Sequence, residues 1–506
     1  APIFWAWPCS IQYPSDFFAI GGRDIFGLPE MVFDYEYALI LQMDPGQIPD
    51  THDDRCYQPS RHFAETDIRD LALCLANDAE AETKISGYTA AREALLTYAR
   101  QLSTKKYGYY SAASSPPEIV PFDLSPYEER LAGVPAEFVV YLRGAAAYYN
   151  GTFNEAARHF NEVLRLEPEQ RKWRSIWAAY MLAKTMLQLK APEQAIFFCH
   201  ETRSLAALNF RDSMLLAEDS WGVQGHAERL CGRVAAAVHS YGKFRKVPGN
   251  WKLGRKLLAE LFSHRNFDSA MAADLVQDET ACQIFTAWAC SSSRISMDKK
   301  REWLRFADGL PADTPINGAG LLAWLAYHCG EMDRAARWVR QSLTADPRAL
   351  WVKAKLLMRE GNIEEGIRIF EGLANQPAVH RWTLFNDSGQ VLPIHYLYAD
   401  FAGGLLLAND YAGALAAFLQ AGEWGDAAFV AERLMTLDEL AAFVQEHKHD
   451  RDLALPAQLK YFDFEYANGE TPSWIRMVQH LFARRLARNG QWEAAVPHFP
   501  GTPSED

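Results

Sequence analysis

Apolar residues recur with a helical period along most of this chain. The stretch GAAAYYNGTFNEAARHFNEVLRLEP, from Gly144 to Pro168, carries the pattern clearly. Small and aromatic residues fall on a first helix, a turn follows at Gly151, and Phe153, Ala156 and Phe160 fall on a second. Pro168 stops the second helix, because it has no N–H and its ring clashes with the preceding turn. Neither helix can bury its apolar face alone, so the pattern predicts a pair that stacks on its neighbours. From about Pro126 onward the chain is almost wholly helical in this sense. Two further helices are expected upstream, in AETDIRDLALCLANDAEAE and YTAAREALLTYARQL. The Pro-rich SSPPEIVPFDLSP then reads as an extended connector. Residues 1–60 lack helical period and are rich in Pro, Gly, Asp and aromatics. They predict an irregular segment wrapped on the body through Phe4, Trp5, Trp7, Phe17 and Phe18.

The pair motif recurs in order. Ala195 repeats Ala156 after 39 residues. LLAWLAYHCGEMDRAARWVRQSLTADP offers Gly330, Met332, Ala335, Val339 and Pro347. ALWVKAKLLMREGNIEEGIRIFEGLA offers Gly361, Ile363, Gly366 and Phe370. Tyr411, Ala414 and Phe418 mark another unit, and Gly490, Trp492, Ala495 and Phe499 mark the last. RLCGRVAAAVHSYGKF and KLLAELFSHRNFDSAMAADLV look like pairs that have drifted. This succession resembles the tetratricopeptide repeat, with Gly144 and Ala156 as the small contacts, Phe160 as the aromatic and Pro168 as the terminator. The resemblance covers most of residues 130–499. It implies an all-α fold, a right-handed superhelix (α-solenoid) of degenerate helix pairs. The expected organisation is an irregular segment at 1–60, a helical pair at 61–113, a connector at 114–125, repeats at 126–375, a loop at 376–393, repeats at 394–499 and a tail at 500–506.

In that family the first helix of each pair lines a concave surface that holds peptides or partner helices. By register, those positions here are Tyr141, Tyr148, Tyr149, Trp177, Tyr180, Lys184, Trp324, Tyr327, His328, Trp351, Lys355 and Arg359. Trp, Tyr and Arg dominate binding hot spots, which makes the group a candidate partner-binding surface. The competing reading is that the same rings fill the seams between repeats. The Lys/Asn-rich carboxylate clamp of chaperone-binding members is replaced here by Tyr, Ala, Trp and Lys, so a cochaperone role is disfavoured.

Charge and composition narrow the partners. With 506 residues the chain is too long for one core. Its 64 acids against 51 bases, net −13, and the absence of a long Lys/Arg run argue against nucleic acid. No apolar stretch is long enough for a transmembrane helix. A chain opening APIFWAWPCS is compatible with a mature exported protein, so a periplasmic or secreted location is expected, with the cytoplasm as the alternative. Of eight cysteines, Cys74, Cys199, Cys231 and Cys329 sit in apolar helical patterns, whereas Cys9 and Cys56 sit in loop-like sequence and could pair.

No complete catalytic motif, cofactor motif or zinc spacing occurs, so no catalytic residue, cofactor or metal is expected. GGRDIFG reads as a turn. The pair His447/His449 with Asp450 follows a helix and reads as a cationic C-terminal turn. Acid pairs Asp53/Asp54 and Asp463/Glu465 read first as solvated loop acids. Asp463 and Glu465, set among Tyr461, Phe462, Phe464 and Tyr466, support an alternative in which a helical toroid binds or cleaves glycans. Asn150 and Asn386 match glycan sequons. The favoured expectation is a non-catalytic adaptor that holds a protein or peptide in its groove and supports a multiprotein, envelope-type complex. A structural subunit docked by the aromatic N-terminus is a third reading.

Overall fold

The computed structural model describes residues 19–20, 23–24, 28–43, 59–107, 119–246, 249–263, 267–291, 295–311, 315–343, 345–382, 384–386, 389–391, 393–448 and 474–499. Within them the fold is all-α apart from strands of two or three residues. The chain divides into two compact units. Unit I is residues 49–281, and unit II is residues 1–48 together with 282–506.

Unit II begins with β1 (Ala19–Ile20), β2 (Arg23–Asp24), β3 (Glu30–Met31) and α1 (Phe33–Ile40). Unit I follows with α2 (Pro59–Cys74), α3 (Ala81–Tyr107), α4 (Ala136–Tyr149), α5 (Phe153–Arg165), α6 (Ser175–Gln188), α7 (Pro192–Ala207), α8 (Leu216–Leu230), α9 (Val234–Arg245), α10 (Trp251–Leu261) and α11 (Ser269–Gln277). The division falls inside α12 (Glu279–Ser291). Unit II then runs through α13 (Met297–Ala307), α14 (Ala319–His328), α15 (Met332–Gln341), α16 (Pro347–Arg359), α17 (Ile363–Ala374) and α18 (Pro377–Arg381). The strands β4 (Leu384–Asn386) and β5 (Gly389–Val391) come next. α19 (Pro393–Leu407), α20 (Tyr411–Ala421), α21 (Trp424–Phe429), a π-turn at Val430–Leu434, α22 (Leu437–Glu446), α23 (Trp474–Arg488) and α24 (Trp492–Ala495) complete it. The segment expected as a loop at 376–393 therefore carries a short helix and a hairpin.

Helix pairing follows the apolar pattern. In unit I each helix from α4 to α9 packs on the next, and α6 also packs on α8. In unit II, α14 packs with α15 and α16, α16 with α17, and α19 with α20. The small residues act as expected at the contact. A Cβ at Gly144 would meet the Phe160 ring at 2.6 Å, so only glycine lets α4 and α5 approach that closely. Gly225 has the same relation to Tyr241 in the next-but-one pair, also at 2.6 Å. That pair, α8 and α9, looked drifted in sequence, yet it keeps the packing rule with a tyrosine in place of the phenylalanine.

One turn recurs between paired helices. After α4, Gly151 takes φ +79°, and the Thr152 N–H returns to the Ala147 carbonyl at 3.0 Å. This left-handed closure satisfies carbonyls that the helix end would leave orphaned. After α6 the same closure is made by Lys190 at φ +58°, with Ala191 N–H on the Met186 carbonyl. After α19 it is made by Asn409 at φ +61°. Beyond the turns, Asp268, Ser296, Asp346 and Asp410 accept from backbone N–H groups of α11, α13, α16 and α20, and Thr436 with Glu439 forms a capping box on α22.

Candidate functional site

In unit I the first helices are organised around a buried guanidinium. Arg174, just before α6, is fully buried. It donates to Asp67 Oδ1 at 2.5 Å and to Asp70 Oδ2 at 3.1 Å, both on α2. Asp67 also accepts from Arg92 at 2.7 Å and from the Tyr88 hydroxyl at 3.0 Å. Burial alone would raise the Asp67 carboxyl, but the Arg174 and Arg92 charges outweigh it and hold it below its ordinary value. The guanidinium also lies over Phe138 at 4.2 Å and Trp177 at 4.6 Å. Glu137 closes the cluster by accepting from the backbone N–H groups of Trp173 and Arg174. Burial pushes that carboxyl up to about 7 despite those two bonds. This cluster fixes where α6 starts relative to α2, α3 and α4.

Three turns along α4 and α6, the same helices present a different surface. Tyr148 is half-buried and Tyr149 is exposed. Their rings meet edge to face at 5.9 Å, and Phe153 buttresses Tyr148 at 5.6 Å. The Lys184 ammonium lies 5.9 Å from the Tyr148 ring and 5.7 Å from the Tyr180 ring. Among the described residues it has no hydrogen bond and no ion pair. Burial pulls its pKa down, partly offset by the charge of Asp219 on α8. Asp219 itself is pushed up by burial, and its Oδ1 accepts from Asn250 at 2.7 Å. An ammonium set over two tyrosine faces with no carboxylate bound to it is an anion-accepting arrangement.

In unit II the equivalent region is filled. Trp324, Trp351 and Trp382 form a buried triangle with ring centroids 5.4 to 6.0 Å apart. Residues 28–43 run over it as a strap. Trp324 Nε1 donates to the Pro29 carbonyl at 3.3 Å. β3 pairs antiparallel with β4, Glu30 opposite Phe385 and Met31 opposite Leu384. Phe33 meets Trp288 edge to face at 4.9 Å. The fully buried Glu36 carboxylate accepts from Trp382 Nε1 and from Arg348, whose Nε lies 3.1 Å away. Deeper in, Asp400 accepts from Trp351 Nε1 at 2.6 Å and from Lys355 at 2.8 Å. Burial raises the Asp400 carboxyl, and Lys355 opposes the shift. Lys355, Asp400, Met358, Phe370, Gly403, Gly404 and Leu407 line a cavity of about 20 Å³, room for one water.

The twelve residues expected on a groove are thus dispersed, with Tyr180 half-buried beside Lys184 and His328 half-buried at the end of α14. Tyr148, Tyr149 and Lys184 come together on an accessible face of unit I, and Arg359 is exposed at the end of α16. Tyr141, Trp177, Trp324, Tyr327, Trp351 and Lys355 are buried. Tyr141 and Trp177 pack on one another at 5.7 Å in the seam between α4 and α6. Trp324 and Trp351 are closed over by the strap and Trp382, and Lys355 is neutralised by Asp400. The five rings are buried here because a large ring on a first helix fills the gap to its neighbour before it reaches a groove, and Lys355 is buried on its ion pair with Asp400. Sequence reasoning missed Glu36, Asp67, Arg174, Arg348 and Asp219. The available signal was a charge inside an apolar run, as in VFDYEYALI around Glu36.

Asn150 has another use than a sequon. Its side-chain amide bonds both the N–H and the carbonyl of Phe122, pinning the connector to the first turn. Asp53, Asp54, His449, Asp450, Asp463, Glu465, Cys9, Cys56 and the aromatics at positions 4–18 lie outside the described residues. Among the described residues there is no cluster of metal-ligating side chains, and no helix is long and apolar enough to cross a membrane. Cys74, Cys199, Cys231, Cys282, Cys290 and Cys329 are thiols. No protein-family model matches the chain, and comparison with curated proteins finds no match.

Proposed function

We propose that this protein is a segment-binding adaptor built from degenerate tetratricopeptide-like pairs stacked as a right-handed superhelix. Its working surface is the first-helix face of unit I, and its ligand is a protein segment that brings an acidic side chain to Lys184 and apolar groups to Tyr148, Tyr149 and Tyr180. One observation supports this reading: among the described residues Lys184 holds its ammonium over two tyrosine rings with the charge of Asp219 nearby but no hydrogen bond or ion pair. A segment carboxylate there would gain a charge-assisted bond in a partly desolvated setting, and the tyrosines would add contact area at little entropic cost.

The test is a selection of displayed random peptides on the wild-type chain, counter-selected on Lys184→Met. The reading expects enrichment of sequences with an Asp or Glu beside aromatic or aliphatic residues. It expects those peptides to lose about tenfold in affinity on Lys184→Met. No enrichment, or peptides indifferent to Lys184, would reject it.

A further inference from the structure

The strap of unit II is held in the manner of a bound ligand. Its extended part adds a strand to the hairpin edge through β3 and β4. Its helical part, α1, sits in a channel lined by Trp288, Arg348 and Trp382, which meet Phe33 and Glu36. Strand addition and helix-in-groove docking are two standard ways in which a folded surface captures a separate segment. Several of these contacts are made to features any suitable segment would share. They are the backbone of residues 30 and 31, one backbone carbonyl at Pro29 and one carboxylate at Glu36. α1 has eight residues, too few to be a stable helix in water, so the channel itself is what keeps it helical.

We propose that this channel is a segment-binding site in its own right, loaded in cis by residues 28–43. Its ligand class is a proline-containing extended stretch that pairs with β4 and enters a short helix bearing an aromatic residue and, three positions on, a carboxylate. A free segment of that chemistry competes with the strap. This goes beyond the reading of Lys184 and stands or falls separately from it.

The probe is a fluorescein-labelled synthetic peptide with the sequence Leu28–Met43, titrated into the full chain. Glu36→Gln weakens the chain's own strap and leaves the peptide's carboxylate intact. The expected result is at least about tenfold tighter peptide binding to Glu36→Gln than to wild type, abolished when Arg348→Met is added. Equal affinity for both chains, no binding to either, or binding that survives Arg348→Met would overturn the proposal. A second measurement needs no variant. In the wild-type chain, excess unlabelled peptide is expected to speed amide exchange across 35–41 while 319–328 stays protected. Unchanged exchange at saturating peptide would count equally against it.

Discussion

Units I and II each anchor an arginine on carboxylates, Arg174 fully buried and Arg348 partly exposed, and then diverge. Arg174 and Arg348 each stand at the start of a first helix, and each is followed three residues later by a buried tryptophan, in RSIW at 174–177 and RALW at 348–351. Each guanidinium lies against tryptophan rings and is neutralised by carboxylates from an element earlier in the chain. In unit I that element is α2, a 16-residue helix, and the aromatic face farther along α4 and α6 stays partly exposed, with Tyr149 at the surface and Tyr148, Tyr180 and Lys184 half-buried. In unit II it is α1, eight residues long, and its segment covers the tryptophans. One packing device thus serves two ends. Where the carboxylate arrives on a long, well-packed helix, it builds a scaffold and leaves a surface. Where it arrives on a short strap, the strap occupies the surface.

The largest expected effect breaks that parallel. Arg174→Met would leave Asp67 and Asp70 buried, with Arg92 as the only cation remaining on Asp67 among the described residues, and should cost unit I about 3 to 5 kcal/mol. Arg348→Met strands Glu36 on a short element that can swing out to water, so its loss should be confined to the strap. Urea unfolding followed by circular dichroism, with amide exchange on both variants, separates the two. Similar global losses would show that the strap is as integral as α2.

Next in size are the close helix contacts. Gly144→Val and Gly225→Val each drive a side chain into an aromatic ring and should destabilise by about 1 to 3 kcal/mol, read as a shift in the urea midpoint. A Gly225 variant that costs nothing would mean the drifted pair does not share the rule of the first.

Both units hold carboxyls that burial raises, Glu137 in unit I and a close pair in unit II. In unit II burial pushes Asp426 up to about 8, reinforced by Glu423, which burial raises to about 7. Both folded pKa values lie above the unfolded carboxylate range. The native state therefore holds extra protons between about pH 4 and pH 8, and stability falls as pH rises through that window. Asp426→Asn should flatten that fall. Thermal melts at pH 5 and pH 8.5 check it, and an unchanged slope would remove Asp426 as its source. The smallest effect sharpens the turn rule. Lys190→Gly relieves a left-handed non-glycine residue and should stabilise unit I by about 0.5 to 1 kcal/mol.

Much of the helical layout was legible because it depends on local pattern. Gly144, Phe160 and Pro168 announce a pair within 25 residues. The role of the N-terminal segment was legible only as aromatic richness, because Glu36 meets Trp382 across 346 residues and no local period encodes that partner. The candidate site was half legible. Register places Tyr141 and Tyr148 on one helix, but seven residues is nearly two turns. What separates a seam ring from a surface ring is the neighbour it meets, Trp177 in one case and Lys184 in the other. The repeated R-x-x-W was present in the sequence and pointed to both buried clusters.

The central claim is that unit I offers a partly exposed first-helix face while the corresponding face of unit II is already engaged. The most direct measurement is calorimetric titration of one selected acidic peptide into wild type, Lys184→Met and Arg359→Ala, since Arg359 is an exposed cation on the matching helix of unit II. The account predicts about a tenfold loss on Lys184→Met and less than about a twofold change on Arg359→Ala. A loss on Arg359→Ala with Lys184→Met unaffected would contradict it.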